Sequence, residues 1–156
     1  TIACKDIRVQ FVEKFFGNPR FDIGTIDLIK PEWKSDKISI YDHLKYKYVM
    51  ALEGNDVASN LKWIMSSNSI AVMPKPYYET WFMEGTLKPD YHYIEVKPDF
   101  SDLEEKMDYY TAHPDEAQAI INHAHEYVEQ FKDKQREDII SLMVLDKYFS
   151  LLKSKD

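Results

Sequence analysis

The sequence predicts an α/β domain with a Rossmann-like sheet of about four mostly parallel strands and flanking helices. Two apolar runs, from Tyr48 to Leu52 and from Ser69 to Met73, show no alternation of polar and apolar residues. Strands that are covered by helices on both faces have this composition. The segment between the runs carries apolar residues at helical spacing, from Val57 to Asn68. Strand, helix and strand in this order predict a βαβ unit with a right-handed crossover.

The remaining segments predict two more strands and several helices. Phe21 to Ile26 alternates as a short strand does, and Tyr91 to Val96 is a second candidate. A capping box of Ser101 and Glu104 indicates the start of a helix. Apolar residues at helical spacing predict helices over residues 7–16, 40–45, 103–110 and 114–131, and a last helix from about Asp138.

Composition and charge exclude several classes of protein. With 156 residues and 44% hydrophobic content, residues 1–156 can bury one ordinary core, so we expect a single domain. The net charge of -7 argues against a nucleic-acid partner. Cys4 is the only cysteine, so an internal disulfide framework is excluded. No apolar stretch reaches the roughly 18 residues of a membrane span, and the start at Thr1 suggests a piece of a longer protein.

The turn Glu53-Gly54-Asn55-Asp56 is the first candidate site, because ligands in parallel sheets bind beyond the carboxyl ends of strands. A helix from about Val57 would present unpaired N–H groups and a partial positive charge to an anion. The two acids would repel phosphate. We therefore expect them to bind neutral hydroxyls of a ribose or sugar, and phosphates to meet N–H groups and cations.

Two cations could serve this turn. Lys62 projects from the same helix away from its apolar stripe, as does Ser59, and Arg8 could reach the turn from the first helix. Glu79, which lies among aromatic residues, is a candidate acceptor for a hydroxyl. Equally, Asn55 or Asp56 could only cap the helix, and Lys62 could be a solvated surface lysine. The turn has one glycine, so the dinucleotide fingerprint is absent, as is a P-loop.

Several motifs occur in order along the chain. KYKY precedes the first apolar run, and the turn at Gly54 and the helix with Lys62 follow it. SNS precedes the second run, and LKP with HY occupies Leu87 to Tyr93. With these motifs in this order, the chain resembles glycosyltransferase family ninety from Arg8 to about Phe131. The family includes bacterial lipopolysaccharide core-biosynthesis transferases, which the chain resembles most, eukaryotic protein O-glucosyltransferases and capsule xylosyltransferases.

The resemblance implies a GT-B architecture, in which two Rossmann-like domains flank a cleft. The C-terminal domain of such enzymes binds a nucleotide-sugar, usually a UDP-sugar, and the sugar is transferred with inversion and without an obligatory metal. This chain looks like that donor-binding half, and its last helix like the one that returns to the N-terminal domain. The acidic catalytic base comes from the N-terminal domain in this family, so we assign no catalytic residue here. The resemblance also implies a cytoplasmic protein that is peripheral at the inner membrane of a bacterium.

The family's donor-binding residues carry over only in part. Arg8 stands where the family has an arginine close to the donor phosphates, and the segment from Gly54 to Lys62 matches the donor-binding turn and helix. Asn60 replaces an arginine common in eukaryotic members, and Asn68 replaces a glycine. Glu79 falls near an acidic position of the family. The donor-binding candidates are Arg8, Gly54, Asn55, Asp56, Ser59, Asn60, Lys62 and Glu79.

Two alternatives belong to other classes. A receiver-type signalling domain is suggested by the VKP sequence that begins at Val96, but Asp27 supplies only one acid where receivers need two, and Asp56 lies beyond the glycine of its turn. The second alternative is a Rossmann-like interaction module without catalysis. Binding of UDP would separate this module from a transferase.

Overall fold

The computed structural model describes residues 3–26 and 30–153. Its sheet has three parallel strands in the order β1-β2-β3, and the α/β class is confirmed. The elements are α1 Ala3–Phe15, α2 Ile40–His43, β1 Tyr48–Met50, α3 Leu61–Met65, β2 Ile70–Met73, β3 Ile94–Glu95, α4 Leu103–Ala112, α5 Pro114–Glu129 and α6 Lys134–Lys153.

The predicted βαβ unit is present as β1, α3 and β2. Val49 lies opposite Ala71 in the first parallel pair, and Val72 lies opposite Ile94 in the second. All four residues of β2 are buried, as the absence of alternation in the sequence predicted. The carboxyl ends of β1 and β2 therefore meet at one edge of the sheet, where the turn at Gly54 lies.

Helices cover both faces of the sheet. On one face, Ile70 and Val72 of β2 pack with side chains of α1 and α4. On the other face, Ala71 and Met73 pack with α3 and the end of α5. Alternate residues of a strand point to opposite faces, so a single apolar strand supplies both layers of the core.

The predicted strand from Phe21 to Ile26 is wrong. Among the described residues, this segment forms only an isolated bridge, between Thr25 and Lys34. Phe21 and Ile23 are partly buried against the core that includes α1 and α4. The alternation in the sequence thus reflects two side chains that pack inward. The backbone of the segment pairs with a neighbouring loop and not with the sheet.

The predicted capping box of Ser101 and Glu104 is wrong as well. Helix α4 begins at Leu103, with Asp102 at the N-cap position and no side-chain capping bond. The Glu104 carboxylate instead accepts a hydrogen bond from Arg20 at 3.1 Å. Glu104 therefore forms an ion pair with a residue distant in sequence and does not cap the helix.

Helix α6 leaves its apolar residues in contact with solvent. It begins at Lys134, earlier than the predicted Asp138, and Arg136 donates a hydrogen bond to the carbonyl of Gln130 at 2.9 Å. Its exposed apolar side chains are Ile139, Ile140, Leu142, Met143, Val144, Leu145, Tyr148, Phe149, Leu151 and Leu152. The predicted helix is confirmed, but the described residues do not bury the face that would make it part of a core.

Within the described ranges, no helix combines the length and the apolar character that crossing a membrane would need.

Truncation of Ile94 to alanine tests how β3 packs into the core. Ile94 is 0% exposed and belongs to the core cluster that includes side chains of β2, α1 and α4, so Ile94→Ala should lower the free energy of unfolding by about 3 kcal/mol. Ile139 is 51% exposed on α6, and Ile139→Ala should change the free energy of unfolding by less than about 0.5 kcal/mol. Urea unfolding measures both, and equal losses would contradict the described core.

Candidate functional site

A cavity of about 1270 Å³ lies along β1, and one of its ends is lined by residues of the loop that follows the carboxyl end of this strand. Its walls come from α1, from the segment of residues 20–26, from α2 and from the loop after β1. Of the candidate donor-binding residues, its lining includes Arg8, Gly54, Asn55, Ser59 and Asn60. The structure thus brings together five residues that the sequence places as far as 52 positions apart.

Three other candidates lie outside that lining. They are Asp56, Lys62 and Glu79. Asp56 and Glu79 are exposed. Glu79 lies against the turn of residues 84–86, where a Cβ on Gly85 would come within 3.1 Å of its carboxylate.

Arg8 binds the end of β1 from the side of α1. Its Nε donates to the carbonyl oxygens of Leu52 at 3.2 Å and Glu53 at 3.1 Å, and its Nη2 donates to Leu52 at 2.7 Å. Among the described residues, no carboxylate forms an ion pair with Arg8. Carbonyl oxygens hold this guanidinium in place without neutralising it, and its remaining N–H groups can bind an anion.

Gly54 allows the guanidinium to approach the turn. A Cβ on Gly54 would lie 3.0 Å from Cζ of Arg8 and 3.1 Å from its Nη2. Real Cβ atoms rarely come so close to a neighbour, so a larger residue would displace the guanidinium. The φ of Gly54 is not positive, so the absence of a side chain at this position serves the close approach.

The predicted helix start at Val57 is wrong, and with it the proposed anion site. Helix α3 begins at Leu61 and has only 5 residues. The carboxylate of Asp56 accepts a hydrogen bond from the N–H of Val57 at 2.8 Å, so it stabilises a local turn. The Asn60 side chain donates to the carbonyl of Met50 at 2.9 Å and ties the loop to β1. Such local bonds compete with a helix that apolar spacing alone would extend.

Lys62 is not a free cation. Its Nζ lies 3.0 Å from a carboxylate oxygen of Glu84, whose residue is 2% exposed. Thr80 donates to the same carboxylate from its backbone N–H at 2.7 Å and from its hydroxyl at 2.8 Å. Burial raises the pKa of Glu84, but the hydrogen bonds from Thr80 and Lys62 outweigh burial and hold that pKa below its ordinary value.

Sequence reasoning did not identify Glu84. An acid after an aromatic run is usually exposed, and no pattern in the sequence marks this one as buried. Its partners Lys62 and Thr80 precede it by 22 and 4 positions, and only the fold brings all three together.

The carboxylate of Glu53, which the sequence predicts to bind a ligand hydroxyl, is hydrogen bonded within the protein. Its carboxylate accepts hydrogen bonds from the backbone N–H groups of Tyr77 and Tyr78, at 3.0 to 3.2 Å. The aromatic residues that follow differ in their exposure. Phe82 is buried, but Tyr77 is 83% exposed and Trp81 is 64% exposed.

The receiver-type signalling domain, an alternative from the sequence, gains no support from Asp27 or Asp56. Asp27 lies outside the described residues. Asp56 is bonded to the N–H of its own neighbour and is exposed.

Replacement of Lys62 tests the ion pair with Glu84. A lowered folded-state pKa means that Glu84 stabilises the fold above its unfolded pKa of about 4.3, and that this stabilisation is lost as the pH falls through the folded pKa. Lys62→Met removes one cause of the lowered pKa of Glu84, so acid unfolding should begin at a higher pH. The loss of stability at pH 7 should be about 3 kcal/mol.

Lys132→Met is the matched control for that experiment. Lys132 pairs with Glu129 at 2.6 Å, but both side chains are more than 60% exposed, so the change should cost less than about 1 kcal/mol. Circular dichroism during acid titration measures both variants. The same acid midpoint for the two would contradict the assigned role of Glu84.

Comparison with known proteins identifies relatives of the whole chain. The O-glucosyltransferase LpsA of Dichelobacter nodosus is 44% identical over 154 residues, which cover 97% of this chain and 48% of that protein. Protein O-glucosyltransferase 3 of Homo sapiens is 28% identical over 159 residues, which cover 97% of this chain and 31% of that protein. The chain thus spans less than half the length of either relative.

A family profile matches nearly the entire chain. The profile of Glycosyl transferase family 90 covers residues 7–156, a range that includes Arg8, the turn at Gly54 and every strand of the sheet. The chain therefore belongs to glycosyltransferase family 90.

Proposed function

We propose that this chain is the donor-binding part of an inverting glycosyltransferase. The enzyme transfers a sugar from a nucleotide-sugar, a UDP-sugar, to a glycan or lipopolysaccharide-core acceptor. One observation carries the proposal: in a member of this family, the guanidinium of Arg8 lies at the carboxyl end of β1, beside a cavity, and no carboxylate of the described residues pairs with it.

The donor diphosphate binds at Arg8 in this proposal. The net charge of -7 repels an anion at long range, so a local cation has to hold it. Arg20 also lines the cavity, but it pairs with Glu104 and Asp108. Polar side chains of Asn55 and Ser59 in the lining can bind hydroxyls of the ribose or the sugar.

In the transfer step, an acceptor hydroxyl attacks the anomeric carbon as a base removes its proton, and the bond from that carbon to the diphosphate breaks. Positive charge develops on the sugar ring, as in glycoside hydrolysis, and negative charge develops on the leaving diphosphate. Arg8 stabilises that negative charge. Lys62 contributes less than the sequence indicated, because its charge is matched by Glu84.

A second part of the enzyme supplies the base in this proposal. Both relatives are more than twice as long as the matched region, and a two-domain GT-B enzyme would have that length. The exposed apolar residues of α6 support a neighbouring domain, since apolar patches of this kind mark interaction surfaces. This chain alone would then bind the donor without turnover.

The names of the relatives make UDP-glucose the first donor to test. Transfer without a metal, and a place at the cytoplasmic side of a bacterial inner membrane, stay predictions from the family resemblance.

Titration with UDP tests donor binding directly. We expect UDP and UDP-glucose to give heat in calorimetry and to raise the melting temperature at millimolar concentration, because a ligand of the folded state stabilises it. Uridine, which lacks the diphosphate, should bind more weakly. If neither heat nor a thermal shift appears, the chain acts as a Rossmann-like interaction module.

Replacement of Arg8 tests the diphosphate contact. Arg8→Ala should weaken UDP binding by roughly tenfold to a hundredfold, the value of hydrogen bonds to a charged group, and should leave uridine binding nearly unchanged. Arg136→Ala is the control, since Arg136 also donates to a backbone carbonyl but lies on α6. Equal losses for uridine and UDP would contradict the assignment of Arg8.

A further inference from the structure

We propose that Glu53 is a positioning residue that holds the loop after β2 to the loop after β1, which lines the candidate donor site, and this inference rests on the proposed function. The first loop, residues 51–60, follows β1, and the second loop, residues 74–81, follows β2. Both leave the same edge of the sheet, because β1 and β2 are parallel neighbours.

The carboxylate of Glu53 bridges these loops. One oxygen accepts hydrogen bonds from the N–H groups of Tyr77 at 3.2 Å and Tyr78 at 3.0 Å, and the other accepts from Tyr77 at 3.1 Å. Pro76 has no N–H, so these are the first two donors after it. Hydrogen bonds that a carboxylate accepts from backbone N–H groups are charge-assisted, and we expect the second loop to depend on them for its position.

Arg8 holds the same residue from the opposite side. It donates to the backbone carbonyl of Glu53 at 3.1 Å, while the side chain of Glu53 binds the second loop. Helix α1, the first loop and the second loop are therefore linked in series through one residue. Disturbing Glu53 should move the second loop and leave the Arg8 contact with Leu52 in place.

This arrangement distinguishes positioning from direct contact with the donor. A carboxylate next to a diphosphate would repel it, whereas the carboxylate of Glu53 is directed at the backbone N–H groups of the second loop. The second loop carries Tyr77 and Trp81, whose rings are exposed. Glu53 thus fixes the backbone that presents these rings, and it does so before any ligand binds.

The test compares Glu53→Gln and Glu53→Ala in the full-length enzyme. Amide hydrogen exchange over residues 74–81 reports the bridge, and the KM for UDP-glucose and kcat report its effect on the site. Gln keeps one acceptor oxygen, but its NH₂ group opposes the N–H of Tyr77, so its effect should be intermediate. Glu105→Gln, an exposed acid on α4, controls for the loss of one negative charge.

We expect faster exchange at residues 74–81 in both variants, more so in Glu53→Ala. The donor KM should rise by roughly tenfold in Glu53→Ala, with a smaller change in kcat, because the loop must then be ordered when the donor binds. Glu105→Gln should match the unchanged enzyme in both measurements.

Two results would overturn the inference. Unchanged exchange together with a raised KM would mean that Glu53 contacts the donor itself. Faster exchange with an unchanged KM would mean that the bridge is only structural. If the unchanged enzyme fails to bind UDP or UDP-glucose, the proposed function fails first, which separates the two claims.

Discussion

The hydrogen bonds from Arg8 to the carbonyl oxygens of Leu52 and Glu53 are the contact on which the site depends. They join α1 to the end of β1, although Arg8 and Leu52 are 44 residues apart in the chain. Gly54 leaves room for the guanidinium. The positive charge is therefore placed by backbone atoms at the edge of the sheet, where ligands of parallel sheets bind.

The electrostatics of the molecule make that contact important. An acidic protein can attract a diphosphate only where a cation keeps its charge available. The ion pairs of Lys62 with Glu84 and of Arg20 with Glu104 and Asp108 neutralise two other cations. A guanidinium held by neutral carbonyl groups is also anchored, yet it retains its charge and several of its donors.

The sequence predicted those features that depend on buried apolar surface. Continuous apolar runs identified β1 and β2, and helical periodicity identified α5, because burial selects for these patterns directly. It also placed Arg8 within reach of the turn at Gly54.

The predictions that failed involve polar groups whose partners are set by tertiary structure. The apolar stripe suggested a helix from Val57, but the hydrogen bond of Asp56 to that residue and the bond from Asn60 to Met50 leave a loop up to Leu61. The burial of Glu84 depends on Lys62 and Thr80, which the sequence keeps apart. The spacing of residues along the sequence does not identify such partners.

A structure of the protein with bound UDP would test the central claim most directly. The account predicts diphosphate oxygens within about 3 Å of the Arg8 guanidinium, beside the Leu52 to Gly54 turn, with Lys62 still paired to Glu84. A nucleotide bound elsewhere, with Arg8 still donating only to the two carbonyl groups, would contradict it.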